Sequence, residues 1–576
     1  LKIILHILIK VYKNKLTTQD YNLLNTYSFE DERLKEKSKV ILVYIKKCIG
    51  DISWKFEIDN VNIKKHYLGM LIYLEKMQLN KDFKIDEFFD KYFEYHSDRH
   101  QIINSYWNSR PRRVKKDLSN IKIKFIGGTD KIGGSCILIQ HKDTNILLDA
   151  GANIHGEYYP DFSTLEEENI QLKDIDYLII SHSHFDHIGS LPYIYKQNNN
   201  IKIITTFQTK DIMKVMLEEC ERANIEEEKI SSQDIKNVLS NVIVKPMNSE
   251  IKINNDIKLN LFSAGHILGA VAIYLKVEDV GLLYTGDYCV HDQYTVKGMS
   301  LPLDLEVDVL ITESTYAYYP SNFNLSKENQ EKLFIDDITR VINNNGIVLI
   351  PAFAIGRAQE IVMTIKNYFK DEVFLPFDVY LDGKVVEICD VYEKYLNVNK
   401  KDLYENGISK VNHKRKNNDE YLLEKYRGSC IIASSGMLNE NSRSSKYANA
   451  IVNDEKSLIL FSGYLDEESP GKQLLKKINE EVMPTINIEG NTKEVLCNVK
   501  SYKMSAHVKK YELLKLMIKL KPQYTFLVHG DSTNKYKYMN DENLGEQIYP
   551  KIETLMYYIN DTDIIVPKNG ELYKFD

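Results

Sequence analysis

The sequence predicts an α/β protein of several domains, and three observations carry that reading. From Ile121 onward, short β-branched runs are broken by glycines, as in a strand meander. The apolar run 177–180 ends abruptly in SHSHFDHIGS at 181–190. Between residues 314 and 503, strand-like runs at 346–350, 379–381, 429–433 and 457–461 are interleaved with helical stretches such as 358–369, the pattern of a parallel α/β sheet.

A chain of 576 residues is too long for one core, and about 150 residues per domain suggests three or four units. Hydrophobic content of 43% and charged content of 27% are those of a folded, soluble, cytoplasmic protein. A net charge of −7 argues against a surface coated in positive potential, so a polyanionic substrate has to be held by local basic patches. The seven cysteines (48, 136, 220, 289, 389, 430 and 497) form no CxxC pair, which fits a reducing compartment and core packing. The opening LKIILHILIKVY is too short to span a bilayer, carries Lys2 and Lys10, and reads as a helix; no membrane partner is expected.

Residues 1–119 place apolar groups three and four apart at 40–49, 67–77 and 85–95, which predicts a helical N-terminal domain. It ends in SRPRRVKK at 109–116, a basic linker whose ordinary role is solvation and whose functional one is contact with a phosphate backbone. Strands follow at 121–128, 135–140 and 144–151, with Gly127, Gly128, Gly133 and Gly134 allowing close backbone approach. Asp149 before Ala-Gly is ordinarily a turn former; its functional reading is a carboxylate that orients a metal-bound histidine.

Three histidines and an aspartate within six residues of a buried strand are hard to explain by packing, because imidazoles and carboxylates are costly to bury unpaired. His182 and His184 alternate on one side of the strand end, while Asp186 and His187 follow in the turn before a helix at 189–195. One metal can take the first pair and a second metal the other pair. Mixed nitrogen and carboxylate ligands suit zinc, with manganese as the alternative. His266 in FSAGHILGA and Asp287 in GLLYTGDY sit at further strand ends among small neighbours that leave room for a metal.

The ordered set LLDAG, SHSHFDHIG, SAGHILGA and YTGDY resembles the first four motifs of the metallo-β-lactamase superfamily over residues 121–313. TESTYA, IPAFAIGRAQE, CIIASSGML, MSAH and FLVHGD resemble its β-CASP branch, which contains the mRNA 3′-end cleavage endonuclease and, more distantly, RNase J. The resemblance implies an αββα sandwich (120–313 and 504–576) with an inserted β-CASP α/β domain (314–503) behind the N-terminal helical extension. It implies two Zn2+ ions, one held by His182, His184 and His266, the other by Asp186, His187 and His529, with Asp287 bridging. Glu313, His507 and His529 match motifs A, B and C; a histidine at the third goes with RNA-processing members. Where SAHTD is common, this chain has Val508 and Lys509 after Ser505-Ala506-His507.

The expected activity is hydrolysis of single-stranded RNA by water activated between two metals, with Asp186 among the catalytic groups and His507, oriented by Glu313, protonating the leaving oxygen near neutral pH. Arg357, Ser434, Ser435 and Ser505 are candidate phosphate or RNA contacts, Arg357 having a helix-start structural role as its equal alternative. HKRK at 413–416 reads as a solvated loop, with tracking of a nucleic-acid backbone as its alternative. Endonucleolytic or 5′-exonucleolytic mode and a homodimeric state are left open. The competing readings are a metal-dependent DNA nuclease, a small-ester or thioester hydrolase, and a binding protein without catalysis.

Overall fold

Alternating apolar side chains make the first strands two-faced. In β1 (Ile121–Gly127), Ile123 and Phe125 enter the core between two sheets, while Ile126 packs in the layer outside. The computed structural model describes residues 115–129, 131–153, 157–223, 229–316, 327–396, 403–404, 407–411, 419–480, 484–502, 504–531 and 562–575. The helices expected before residue 115, Cys48 and HKRK at 413–416 lie outside the described residues.

The first sheet continues through β2 (Cys136–His141), β3 (Thr144–Leu148), β4 (Tyr177–Ile179), β5 (Lys202–Thr205) and β6 (Val242–Val244). The first three strands are an antiparallel meander and the rest run parallel. The meander can turn tightly because Gly127 meets backbone directly: a Cβ there would lie 2.3 Å from the Gly134 carbonyl oxygen. The second sheet is built from the antiparallel β7 (Glu250–Lys252), β8 (Ile257–Ser263), β9 (Val271–Val277) and β10 (Val280–Tyr284), with β11 (Val309–Glu313) parallel to β10.

The chain then forms a third sheet, from β12 (Val348–Pro351), β13 (Val379–Asp382), β14 (Ile408–Lys410), β15 (Cys430–Ala433) and β16 (Leu458–Phe461). A hairpin of β17 (Thr485–Ile488) and β18 (Asn491–Glu494) precedes β19 (Asn498–Ser501), which completes the six-stranded parallel sheet 14-13-15-12-16-19. Its strands are apolar on both faces, as a sheet covered by helices on both sides requires: Leu349, Ile431 and Ile459 face one cluster, Ile350, Ile432 and Leu460 the other. Finally β20 (Tyr524–Val528) and β21 (Asp563–Ile565) extend the second sheet beside β11, and β22 (Leu572–Lys574) joins the first sheet beside β1.

The first two sheets face each other across Ile123, Phe125, Ile139, Leu148, Ile273, Leu282, Ile311 and Phe526, and helices cover both outer faces. This is the αββα sandwich with an inserted α/β lobe. The core cluster on the outer face of the second sheet is continuous with one face of the third, from Leu283 and Leu310 to Ile350 and Leu381. The six described cysteines are all free and buried. Lys116, at the end of the basic linker, is held by the buried Asp308 at 3.0 Å and by the Asp279 carbonyl oxygen at 2.6 Å. Among the described residues no helix is long and apolar enough to cross a membrane.

Phe125 and Phe526 meet across the two sheets with ring centroids 5.1 Å apart, both fully buried. Phe526→Ala is expected to cost roughly 3–5 kcal/mol and to lower the thermal unfolding midpoint, read by differential scanning calorimetry.

Candidate metal centre

Strand register gathers the site. In the second sheet Tyr284, Ile311 and Phe526 lie side by side on the parallel strands β10, β11 and β20. Two or three residues beyond these positions come Asp287, Glu313 and His529, which therefore emerge at one edge. His266 reaches the same edge from the loop between β8 and β9. From the first sheet, β4 stops at Ile179, earlier than the sequence suggests, and His182 and His184 follow in extended chain. Asp186 and His187 lie not in a turn but on a single helical turn, α1 (Phe185–Ile188), and α2 (Leu191–Gln197) begins only after Ser190. That turn seats on the LLDAG loop through Ser135 N–H to Asp186 O (2.9 Å) and Ala150 N–H to His187 O (2.8 Å). Gly151 permits it, since a Cβ there would lie 1.8 Å from the Asp186 carbonyl oxygen.

Two groups of donors result. In one, His182 Nε2 and His266 Nε2 lie 3.1 and 3.2 Å from His184 Nδ1, and each is 3.7 Å from Asp287 Oδ2. In the other, Asp186 Oδ2 is 3.0 Å from His529 Nε2 and 3.9 Å from His187 Nε2, which is itself 3.6 Å from Asp287 Oδ2. Asp287 thus lies between both.

The outer contacts assign the protons. His266 Nδ1–H donates to the Ala506 carbonyl (2.9 Å) and His187 Nδ1–H to Asp149 (2.7 Å), so each turns an Nε2 lone pair inward. Asp149 is itself held by Ser181 N–H and Oγ–H (both 2.7 Å) and by the Tyr284 hydroxyl (2.8 Å). Thr315 donates to Glu313 Oε2 (2.6 Å) and accepts from His529 Nδ1–H (3.1 Å), leaving the His529 Nε2 lone pair facing a carboxylate oxygen. The Nε2 of His187 is buried without any hydrogen-bond partner. Lone pairs converging at about 3 Å in a buried site are unfavourable unless a cation lies among them, and this donor set fits divalent metal ions.

Burial lowers the pKa of His182, His184 and His266, keeping them in the neutral, ligating form. For His187 burial acts in the same direction, but the carboxylates of Asp287, Asp186 and Asp149 outweigh it and raise the pKa well above the usual value, so that Nε2 carries a proton unless a metal ion takes that proton's place. Asp287 is held well below the carboxylate range against its own burial by His529 and His187. His507, on the loop before the helix Lys510–Leu520, donates from Nδ1 to Glu313 Oε2 at 2.8 Å; Glu313 is held in turn by the backbone N–H of Tyr288 (2.7 Å). Burial works against its charge, yet Glu313 and Asp287 push the His507 pKa up to about 9, above the neutrality expected from sequence.

A cavity of about 260 Å3 opens over the cluster. His184, Asp186, Asp287, His507 and His529 line one side, and Phe353, Arg357 and Tyr464 from the inserted lobe line the other. Arg357 opens the helix Arg357–Tyr368 beside Gly463, its Nε 3.9 Å from where a Cβ on that glycine would stand. Ser505 lines the cavity and accepts from His507 N–H at 3.0 Å. Ser434 and Ser435 do not: their carbonyls accept from Ser444 N–H (2.8 Å) and Oγ–H (2.6 Å), tying that loop to a helix instead. Val508, where the commoner motif is polar, is buried, and Lys509 caps the helix Lys510–Leu520 by donating its N–H to Glu512. Ser181, Tyr284 and Thr315 lie inside the motifs, but nothing in the sequence marks them as partners of Asp149 and Glu313.

Comparison with known proteins agrees with this geometry. Residues 129–288 match the metallo-β-lactamase superfamily model, 358–474 the β-CASP domain, and 492–547 a Zn-dependent metallo-hydrolase RNA specificity domain. An RNase J-like protein of Methanocaldococcus jannaschii is 31% identical over 415 residues, covering 71% of this chain and 93% of that protein. A probable RNase of the same organism is 30% identical over 427 residues, covering 71% and 93%. The transcription termination factor FttA of Methanococcus maripaludis is 29% identical over 448 residues, covering 73% and 69%.

Asp149→Ala removes the acceptor that fixes the His187 ring. Metal affinity, measured by competition with a chromogenic chelator, is expected to fall about 10- to 100-fold.

Proposed function

Since this chain belongs to the β-CASP branch of the metallo-β-lactamase superfamily, we propose that it is a zinc-dependent ribonuclease that hydrolyses phosphodiester bonds of single-stranded RNA. The observation that carries the reading is the pair of donor groups sharing Asp287, set in a cavity that also holds the His507–Glu313 pair. In this reading His182, His184 and His266 hold one zinc ion, Asp186, His187 and His529 the other, and Asp287 both; manganese is the alternative metal. In this reading the sandwich comprises residues 120–313 and 504–576 and the β-CASP domain 314–503, after an extension at 1–119.

The metal pair, when bound, supplies Lewis-acid charge and lowers the pKa of a water. The chain's own residues do the remainder. As water adds to phosphorus, sheds a proton to solvent, and the bond to the leaving oxygen breaks, His507 gives its Nε2 proton to that oxygen and is reprotonated from solvent. Its raised pKa keeps the proton in place at neutral pH, and Glu313, bonded to Nδ1, stabilises the charged ring. Arg357, with no ion pair among the described residues, is placed to hold a non-bridging phosphate oxygen. Ser505 orients the His507 backbone. Ser434 and Ser435, turned toward a helix, are the weakest of the RNA-contact candidates.

His184→Ala should lose metal and activity together. His507→Ala should keep its metal content and lose turnover by about 10² to 10⁴. Because the proton donor must be protonated, wild-type turnover should hold through neutrality and fall as pH rises through the His507 pKa. That alkaline limb should vanish in His507→Ala; its persistence would remove His507 from the role.

Metal-quantified protein incubated with single-stranded RNA and matched DNA, labelled at the 5′ end or internally, tests the substrate. Internal fragments from RNA alone, absent with Asp186→Ala, are expected for an endonuclease. Stepwise loss from a 5′-phosphorylated end would instead assign the exonucleolytic mode, and equal cleavage of DNA would sink the RNA reading.

A further inference from the structure

A second cavity, of about 430 Å3, adjoins the one over the histidine cluster: Tyr316, Gly463 and Tyr464 line both. Its far walls come from the helix Pro470–Glu480 and from β19, and they present Lys472, Lys476 and Lys500 without any carboxylate. Lys472 and Lys476 stand four apart on one helical face and share a single partner, Glu467, at 2.7 Å each. Lys500 likewise shares Asp337 with Arg340, at 2.7 and 2.9 Å. Three lysines and no carboxylate line these walls; Glu467, Asp337 and, acting on Lys476 from further along the helix, Glu480 lie around them, in a chain whose total is −7. The lysines are partly exposed, so a passing anion can reach them without breaking the fold.

We propose that this lysine-lined groove is a binding site for the phosphodiester backbone of single-stranded RNA on one side of the scissile bond. The strand runs from the histidine cluster past Gly463 and Tyr464 and out between the helix and β19. Backbone phosphates need separated positive charges, which two lysines on the helix and one on β19 supply. The rings of Tyr316 and Tyr464 at the junction offer faces on which bases can stack. The assignment rests on the ribonuclease reading for its substrate, but the groove itself is read by binding.

Fluorescent RNAs of roughly 4 to 16 nucleotides are titrated against full-length Asp186→Ala protein, in which the RNA stays intact, with and without Lys472→Ala and Lys476→Ala. The double lysine change should weaken binding of the longer RNAs, leave the shortest unaffected, and reduce the slope of log affinity against log salt by roughly 0.7 per lysine. Photo-crosslinking of a 4-thiouridine RNA to protein with intact lysines should label residues 464–479, which keeps the test open should the substituted protein fold poorly. Unchanged affinity and salt slope, or crosslinks confined to other segments, would overturn the groove. Should binding respond as stated while the native protein cuts no RNA, the groove stands and the ribonuclease reading falls; should RNA be cut with binding indifferent to both lysines, the groove alone falls.

Discussion

The site depends on one buried carboxylate being shared. Asp287 lies within 3.6 to 3.8 Å of His182, His187, His266 and His507 through a single oxygen. Its other oxygen is 3.2 Å from His529. Such a concentration of imidazoles around a carboxylate, cut off from water, is unfavourable for a folded chain unless each group is held by outer partners. Asp149, Glu313, Thr315 and the Ala506 carbonyl provide those partners, and each leaves one polar atom directed at the centre. The histidine tautomers are thus set from outside the cluster, and the unsatisfied atoms inside it define what it accepts.

The placement of the inserted lobe follows from strand direction. β11 and β20 are neighbours and parallel, so the chain leaves β11 at the site edge and has to return to the opposite edge before β20 can begin. The helix Lys510–Leu520 makes that return, burying Leu513, Leu516, Met517 and Leu520 against the outer face of the second sheet. Anything inserted between β11 and this helix starts and ends at the site edge. The cost of closing a long insertion grows only with the logarithm of its length. Hence the third sheet can be large, and His507, at its exit, still stands beside Glu313 at its entrance.

Much of this was legible because metal ligation demands residue types that packing does not. SHSHFDHIGS following an apolar run is costly in any buried strand unless it binds something, and the later His266, Asp287, Glu313, His507 and His529 each end an apolar run or sit among small residues. The parallel sheet of the inserted lobe was legible for a related reason, since strands buried on both faces read as short unbroken apolar runs between helices. Residues that act only through another residue were not legible. Ser181, Tyr284 and Thr315 are ordinary strand-end residues by type, and nothing local marks them as partners of Asp149 or Glu313. Ser434 and Ser435 show the converse, polar residues at a strand end whose backbone is committed to a neighbouring helix.

By itself the sequence determined the inventory of candidate donors, the main strands and helices along the chain and the α/β class, because hydrophobic periodicity and the burial cost of polar groups act over a few residues at a time. Only the tertiary structure shows how the donor atoms stand to one another, since that depends on the register of β10, β11 and β20 between residues far apart in the chain. It also set the outer hydrogen-bond partners of His187, His266, His507 and His529, and the raised pKa of His507, which depends on carboxylates brought in from other strands. Electrostatic energies fall with distance in space, and distance along the chain does not encode them.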